Sequence, residues 1–83
     1  MFNVSNTIRK LMIDKNTTIT PLAKSIGVTQ PKLSRKINNQ SEDYKIEYLN
    51  SLCSALGCKL QINIIDSESN EILYTLTDKQ EHV

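Results

Sequence analysis

The chain has 83 residues, of which 39% are hydrophobic and 23% are charged, so we expect one small domain. No segment reaches the roughly 18 consecutive apolar residues that a membrane-spanning helix needs, and the N-terminal segment lacks the apolar core of a secretion signal. We therefore expect a cytoplasmic protein that does not contact membranes. Because so small a core gives little net stability, we also expect two chains to associate.

The net charge of +1 conceals two oppositely charged halves. Residues 1–40 contain seven Lys and Arg residues against Asp14 alone, a net charge of +6, whereas residues 41–83 contain three Lys against eight acidic residues, a net charge of −5. A basic half attracts phosphates and an acidic half is repelled by them, so this division favours oriented binding to a nucleic acid. The alternative is an ordinary solvated surface whose charge varies along the chain.

The first predicted helix covers about residues 5–15, where Ile8, Leu11 and Met12 recur at helical spacing. Residues 18–38 then have the pattern of a helix-turn-helix. Thr18 and Thr29 are suitable N-caps for its two helices, and Gly27 is suited to the turn between them. The apolar positions expected to anchor these helices are Leu22, Ala23, Ile26, Val28, Leu33 and Ile37.

A polar loop follows, and a fourth helix is predicted over about residues 44–56, ending at Gly57. After Cys58 the apolar spacing changes from helical to alternating, which predicts two strands joined by a turn at residues 66–70. An isolated hairpin is marginally stable in water, so we expect a second chain to cover it, either edge to edge or face to face. Packing of the hairpin on its own helices is the alternative. The residues predicted to form the dimer contact are Leu60, Ile62, Ile64, Ile65, Ile72, Leu73, Tyr74 and Leu76.

The predicted fold is therefore mainly α with a small β element. A four-helix helix-turn-helix domain covers residues 1–57, a β-hairpin that pairs across a dimer covers residues 58–78, and a flexible tail covers residues 79–83.

The segment from residue 18 to residue 60 resembles the Cro/phage-repressor (XRE-type) helix-turn-helix family. The residues that carry the resemblance are Leu22-Ala23, Gly27-Val28, Thr29-Gln30 and Ala55-Leu56-Gly57. The strands that follow are similar to the C-terminal strand of HipB-type antitoxins, which pairs across a dimer, although this chain has two strands where such antitoxins commonly have one.

The family resemblance implies that the third helix enters the major groove of double-stranded DNA. On matching positions it implies base contacts by Gln30, Lys32, Ser34 and Arg35, and phosphate contacts by Thr18, Thr29, Lys36, Asn38, Asn39 and Gln40. Gln pairs well with adenine and Arg with guanine, which agrees with this assignment. The chain departs from the family pattern at Ile19 and Pro31, where many members contact a phosphate and a base.

Two positions have alternative interpretations. Arg35 could form a salt bridge with Glu42 or Glu47 instead of contacting DNA, and Gln30 could be a solvent-exposed residue at a helix start.

Two functional hypotheses follow. The first is a dimeric, sequence-specific transcriptional repressor that binds a palindromic operator. The second is an antitoxin or other inhibitor that uses its acidic half to bind a protein partner such as a toxin. We expect no enzymatic activity, because no catalytic constellation or phosphate-binding loop is present in the sequence. We expect neither a cofactor nor a metal, because no histidine lies near Cys53 and Cys58.

Overall fold

The computed structural model describes residues 3–39 and 42–77. Its elements, in chain order, are α1 (Val4–Asp14), α2 (Ile19–Ile26), α3 (Gln30–Ile37), α4 (Ile46–Ala55), β1 (Gln61–Ile65) and β2 (Ile72–Thr77). The predicted mainly helical fold with a C-terminal β-hairpin is confirmed. The predicted tail over residues 79–83 lies outside the described residues, as do residue 78 of the predicted hairpin segment and Gln40.

The helix-turn-helix is formed by α2 and α3. Gly27 ends α2 with a φ of 78°, in the left-handed region that glycine occupies without a Cβ penalty. Thr29 begins α3, and its hydroxyl accepts a hydrogen bond from the Lys32 amide at 3.3 Å. Thr18 precedes α2 in an extended conformation, but its side chain makes no capping hydrogen bond, which corrects the expectation that its hydroxyl caps the helix.

Helices α1 and α4 each begin and end within one or two residues of the predicted boundaries. Helix α1 begins at Val4 because the Asn3 side chain accepts a hydrogen bond from the Asn6 amide at 3.0 Å and caps the helix there. Helix α4 begins at Ile46, and Tyr44 stays in the preceding loop, where its hydroxyl lies 2.7 Å from the Ser5 hydroxyl.

The core lies between the four helices. Its buried apolar residues are Ile8, Leu22, Ala23, Leu33, Ile37, Leu52 and Leu56. Each comes from the apolar stripe of its helix, so the predicted inward-facing positions of α2 and α3 are confirmed, with Ile26 and Val28 half-buried at the edge of this core.

Strands β1 and β2 pair in an antiparallel ladder in which Ile62 is opposite Leu76 and Ile64 is opposite Tyr74. Because side chains alternate between the faces of a strand, these four residues share one apolar face. The other face is polar nearest the helices, where the Thr75 hydroxyl donates a hydrogen bond to the Asn63 side chain at 2.9 Å. By the same alternation, Ile65 lies on this face beside the turn.

The ladder is irregular near the hairpin turn. Ile65 pairs with Ile72, so that Leu73 is an additional residue in β2, as in a β-bulge. In the turn itself, the Asp66 carboxylate accepts hydrogen bonds from the amides of Glu68 at 3.1 Å and Ser69 at 2.8 Å. Asn70 completes the turn with a φ of 63°.

Candidate nucleic-acid interface

Helix α3 has one buried face and one face open to solvent. Leu33 is 0% exposed and Ile37 is 2% exposed, so both anchor the helix on the core. Gln30, Lys32 and Arg35 are exposed, and Ser34 is half-buried. The structure therefore brings the four predicted base-contact residues together on a single two-turn helix, with three of the four side chains exposed.

The open face of α3 is strongly basic. Lys32, Arg35 and Lys36 line a shallow depression of about 170 Å³ together with Glu42. No acidic residue lies within α3, and its last turn carries Arg35 and Lys36. Such a concentration of positive charge attracts a polyanion such as the phosphate backbone of DNA.

The side chain of Arg35 forms no ion pair within the described residues. Glu42, one of the two acids considered as its alternative partner, instead pairs with Lys36 at 2.7 Å. The guanidinium of Arg35 is thus available to an external acceptor, as a guanine-reading arginine must be.

The predicted phosphate-contact residues surround α3. Thr18 and Thr29 lie immediately before α2 and α3, and Asn38 and Asn39 follow α3; all four are exposed. The side-chain amide of Asn38 donates a hydrogen bond to the Ser34 hydroxyl at 3.3 Å. The side-chain amide of Asn39 donates one to a Glu42 carboxylate oxygen at 3.4 Å. Gln40, the sixth residue of this set, lies outside the described residues.

Lys36 has a different environment from the other predicted phosphate contacts. Its ammonium contacts the Glu42 carboxylate at 2.7 Å and lies 4.9 Å from the Tyr44 ring centroid and 4.8 Å from the Tyr48 ring centroid. The side chain of Lys36 is 21% exposed. Its charge is therefore already engaged within the chain.

Two residues near the end of α3 were not identified from the sequence as part of the site. The hydroxyl of Ser5, which is 1% exposed, lies within hydrogen-bond distance of the Lys36 and Asn39 carbonyls at 3.2 and 3.0 Å. The Tyr44 hydroxyl lies 2.7 Å from that of Ser5 and 3.3 Å from the Lys36 carbonyl. Both carbonyls also accept a backbone hydrogen bond, the Lys36 carbonyl from the Asn39 amide at 3.3 Å and the Asn39 carbonyl from the Glu42 amide at 3.1 Å. The two hydroxyls therefore add side-chain contacts from α1 and from the loop before α4 to the end of α3.

The rings of Tyr44, in the loop before α4, and Tyr48, in α4, pack against each other with ring centroids 6.2 Å apart in an edge-to-face arrangement. The Tyr48 hydroxyl is buried and has no hydrogen-bond partner among the described residues. Burial raises the pKa of this hydroxyl above its ordinary value, and the positive charge of Lys36 partly opposes the shift.

The hairpin forms a second candidate surface. Six of the eight side chains predicted to form a dimer contact are about half exposed or more, from 49% for Ile64 to 70% for Tyr74. The remaining two, Leu60 and Ile62, are half-buried and line a cleft of about 400 Å³ between α1, α4 and β1. The hairpin thus packs on its own helices only at its base, and most of its apolar surface is uncovered in the single chain.

Within the described part of the chain, no helix combines the length and the hydropathy that crossing a membrane requires. A family model for the Cro/C1-type HTH DNA-binding domain matches residues 7–61. This match begins within α1, spans α2 to α4 and reaches the first residue of β1. No curated protein and no solved structure matches the chain.

Proposed function

The chain belongs to the Cro/C1-type helix-turn-helix DNA-binding family, and from this membership we propose that it is a dimeric transcriptional repressor that binds a palindromic operator. The observation that carries the proposal is the open polar face of α3, which presents Gln30, Lys32 and Arg35 while Leu33 and Ile37 hold the helix on the core. A recognition helix needs both features: exposed side chains that reach base edges, and buried residues that fix the helix on the domain.

In the proposed complex, α3 lies in the major groove. Gln30 pairs with an adenine and Arg35 with a guanine, and Lys32 and Ser34 contact neighbouring bases. The phosphate contacts come from Thr18, Thr29, Asn38, Asn39 and Gln40 at the ends of α2 and α3. The Thr18 hydroxyl suits this role because no capping hydrogen bond occupies it.

A dimer is proposed because the apolar face of the hairpin is left uncovered. Ile64, Tyr74 and Leu76 are each about half exposed or more, and a second copy of the same face supplies a matching apolar surface. Two α3 helices related by twofold symmetry then read half-sites whose centres are about 34 Å apart, one turn of the duplex. Occupation of such an operator would exclude RNA polymerase, and this steric exclusion, not catalysis, is the proposed activity.

Selection of bound duplexes from random sequence, followed by affinity measurements on the selected site, tests the proposal. We expect a palindromic site and an affinity that falls steeply between roughly 50 and 200 mM salt. The Arg35→Ala variant should lose discrimination at one base pair of each half-site by about 1–3 kcal/mol, because the bidentate contact to guanine is removed.

The matched control is Lys59→Ala, which removes one positive charge from an exposed position between α4 and β1, outside the helix-turn-helix. Lys59→Ala should retain the wild-type sequence preference. If Arg35→Ala also retained it, the assignment of α3 to the major groove would be wrong.

A further inference from the structure

The ammonium of Lys36 is enclosed by groups from the loop before α4 and from α4 itself. Glu42 supplies a carboxylate at 2.7 Å, and the Asp43 carbonyl oxygen lies at 3.4 Å. The Tyr44 and Tyr48 rings contribute their faces at 4.9 and 4.8 Å from the ring centroids. Both distances are within the range of about 6 Å over which a cation is attracted to an aromatic ring.

The backbone of Lys36 is held as well as its side chain. Its carbonyl oxygen is 3.2 Å from the Ser5 hydroxyl of α1 and 3.3 Å from the Tyr44 hydroxyl. The Ser5 hydroxyl also lies 3.0 Å from the Asn39 carbonyl, one turn beyond. Lys36 is therefore the point at which α1, the end of α3 and the loop before α4 are joined by polar contacts.

Only the ring of Tyr48 takes part in this cluster, because its buried hydroxyl has no partner among the described residues. An ammonium moved from this cluster to a DNA phosphate would leave the Glu42 carboxylate unpaired beside the phosphate and would lose two ring contacts. Lys32 and Arg35, by contrast, are exposed and form no ion pair within the described residues.

From this geometry we infer that Lys36 is a positioning residue that fixes the C-terminal end of α3 against Tyr44, Tyr48 and Glu42, and that it is not a phosphate ligand. The inference rests on the proposed function, because what Lys36 positions is the helix that enters the groove. It replaces the assignment of Lys36 to the phosphate contacts that the family resemblance implies.

The salt dependence of DNA affinity separates the two roles. The Lys36→Met variant removes the charge and keeps an unbranched side chain. A lost phosphate contact would reduce the slope of log affinity against log salt by about 1 per protomer. A lost positioning contact leaves this slope unchanged and lowers the affinity at every salt concentration, by about 3- to 10-fold if a partly buried cation–π contact is lost.

Variants of Tyr48 supply a second measurement that leaves the charge in place. Tyr48→Leu should also reduce affinity, but by less than Lys36→Met, because the contacts of Lys36 with Glu42 and Tyr44 remain. The double variant should bind no more weakly than Lys36→Met, because that variant has already lost the contact with Tyr48. Tyr48→Phe is the matched control: it keeps the ring and removes only the unpartnered hydroxyl, so its affinity should equal that of the wild type.

Wild-type binding to the selected duplex is measured first. If the wild type bound no duplex, the proposed function would be overturned and this inference with it. If the wild type bound but Lys36→Met lowered the salt slope by about 1 per protomer, or Tyr48→Leu left the affinity unchanged, only the positioning role would be overturned.

Discussion

The helical region and the hairpin bury their apolar residues to very different extents. In α1 to α4, the central side chains Ile8, Leu33 and Leu52 are 1% exposed or less. In the hairpin, Ile72 and Tyr74 are 58% and 70% exposed, although β2 is as apolar in sequence as any helix of the chain. Helices from one chain can surround a core, whereas a two-stranded sheet has no second layer of its own. The helical region therefore covers its own core, whereas the hairpin leaves most of its apolar surface uncovered in the single chain, which is the reason for the dimer that we propose.

The largest expected effect is on the helical core. We expect Leu52→Ala to lower the free energy of unfolding by about 2–5 kcal/mol, because it leaves a cavity where the leucine is fully buried. The loss of unfolding free energy is measured by urea unfolding, with the circular dichroism of the helices as the signal, at a protein concentration low enough to keep the chain monomeric. The control is Leu76→Ala, which deletes the same atoms from a side chain that is 50% exposed and should cost less than about 1 kcal/mol. Equal losses of unfolding free energy in the two variants would contradict the difference in burial between the helical core and the hairpin.

The next effect concerns assembly. We expect Tyr74→Glu to raise the dissociation constant of the dimer at least about tenfold, because burying a carboxylate against the partner's apolar face is unfavourable. Sedimentation of the wild type and the variant over a concentration series measures this change, and circular dichroism should show that the helices are retained.

The matched control for assembly is Thr75→Glu, which adds the same charge to the next residue on the polar face of the hairpin. This variant should remain a dimer. Dissociation of both variants, or of neither, would show that the apolar face of the hairpin is not the contact.

The smallest effect is confined to the hairpin turn. Hydrogen bonds from the Ser69 and Glu68 amides lower the pKa of Asp66 below its ordinary value. The stabilisation of the turn is therefore complete above the pKa of the unfolded chain and is lost as the pH falls through the lowered pKa of the folded chain. The Ser69 amide resonance in NMR spectra should report this transition while the resonances of the helical core stay constant. Asp66→Asn should abolish the transition, and its persistence in that variant would assign it to another group.

The parts of the fold that could be predicted from the sequence depend on local signals. Gly27 and Thr29 indicate a turn and a helix start through their own backbone and side-chain chemistry, and the alternating residues after Cys58 indicate strands. The exposed residues of α3 also follow from helical periodicity, because Leu33 and Ile37 define the face that is buried.

The parts that could not be predicted join residues that lie far apart in the sequence. Ser5 contacts Tyr44 across 39 positions, and no local pattern marks a serine in an amphipathic helix as a buried hydrogen-bond partner. The contacts of Lys36 with Tyr44 and Tyr48 depend on the packing of α3 against the loop before α4, so a basic residue at the end of a recognition helix could equally have faced solvent. Lys36 and Arg35 differ in their solvent exposure, and this difference can be read only from the folded chain, not from the sequence.

The additional residue in β2 limits the pairing of further strands with the edges of the hairpin. Leu73 interrupts the ladder between the Ile64–Tyr74 and Ile65–Ile72 pairs, so the last pair before the turn is out of register with the four pairs nearer the helices. Bulges bend a strand and increase its twist, which makes a poor template for the open-ended addition of further strands. An uncovered apolar hairpin with two straight edges would be prone to grow into fibrils. The irregularity at Leu73 counters that tendency, which agrees with the closed dimer that we propose.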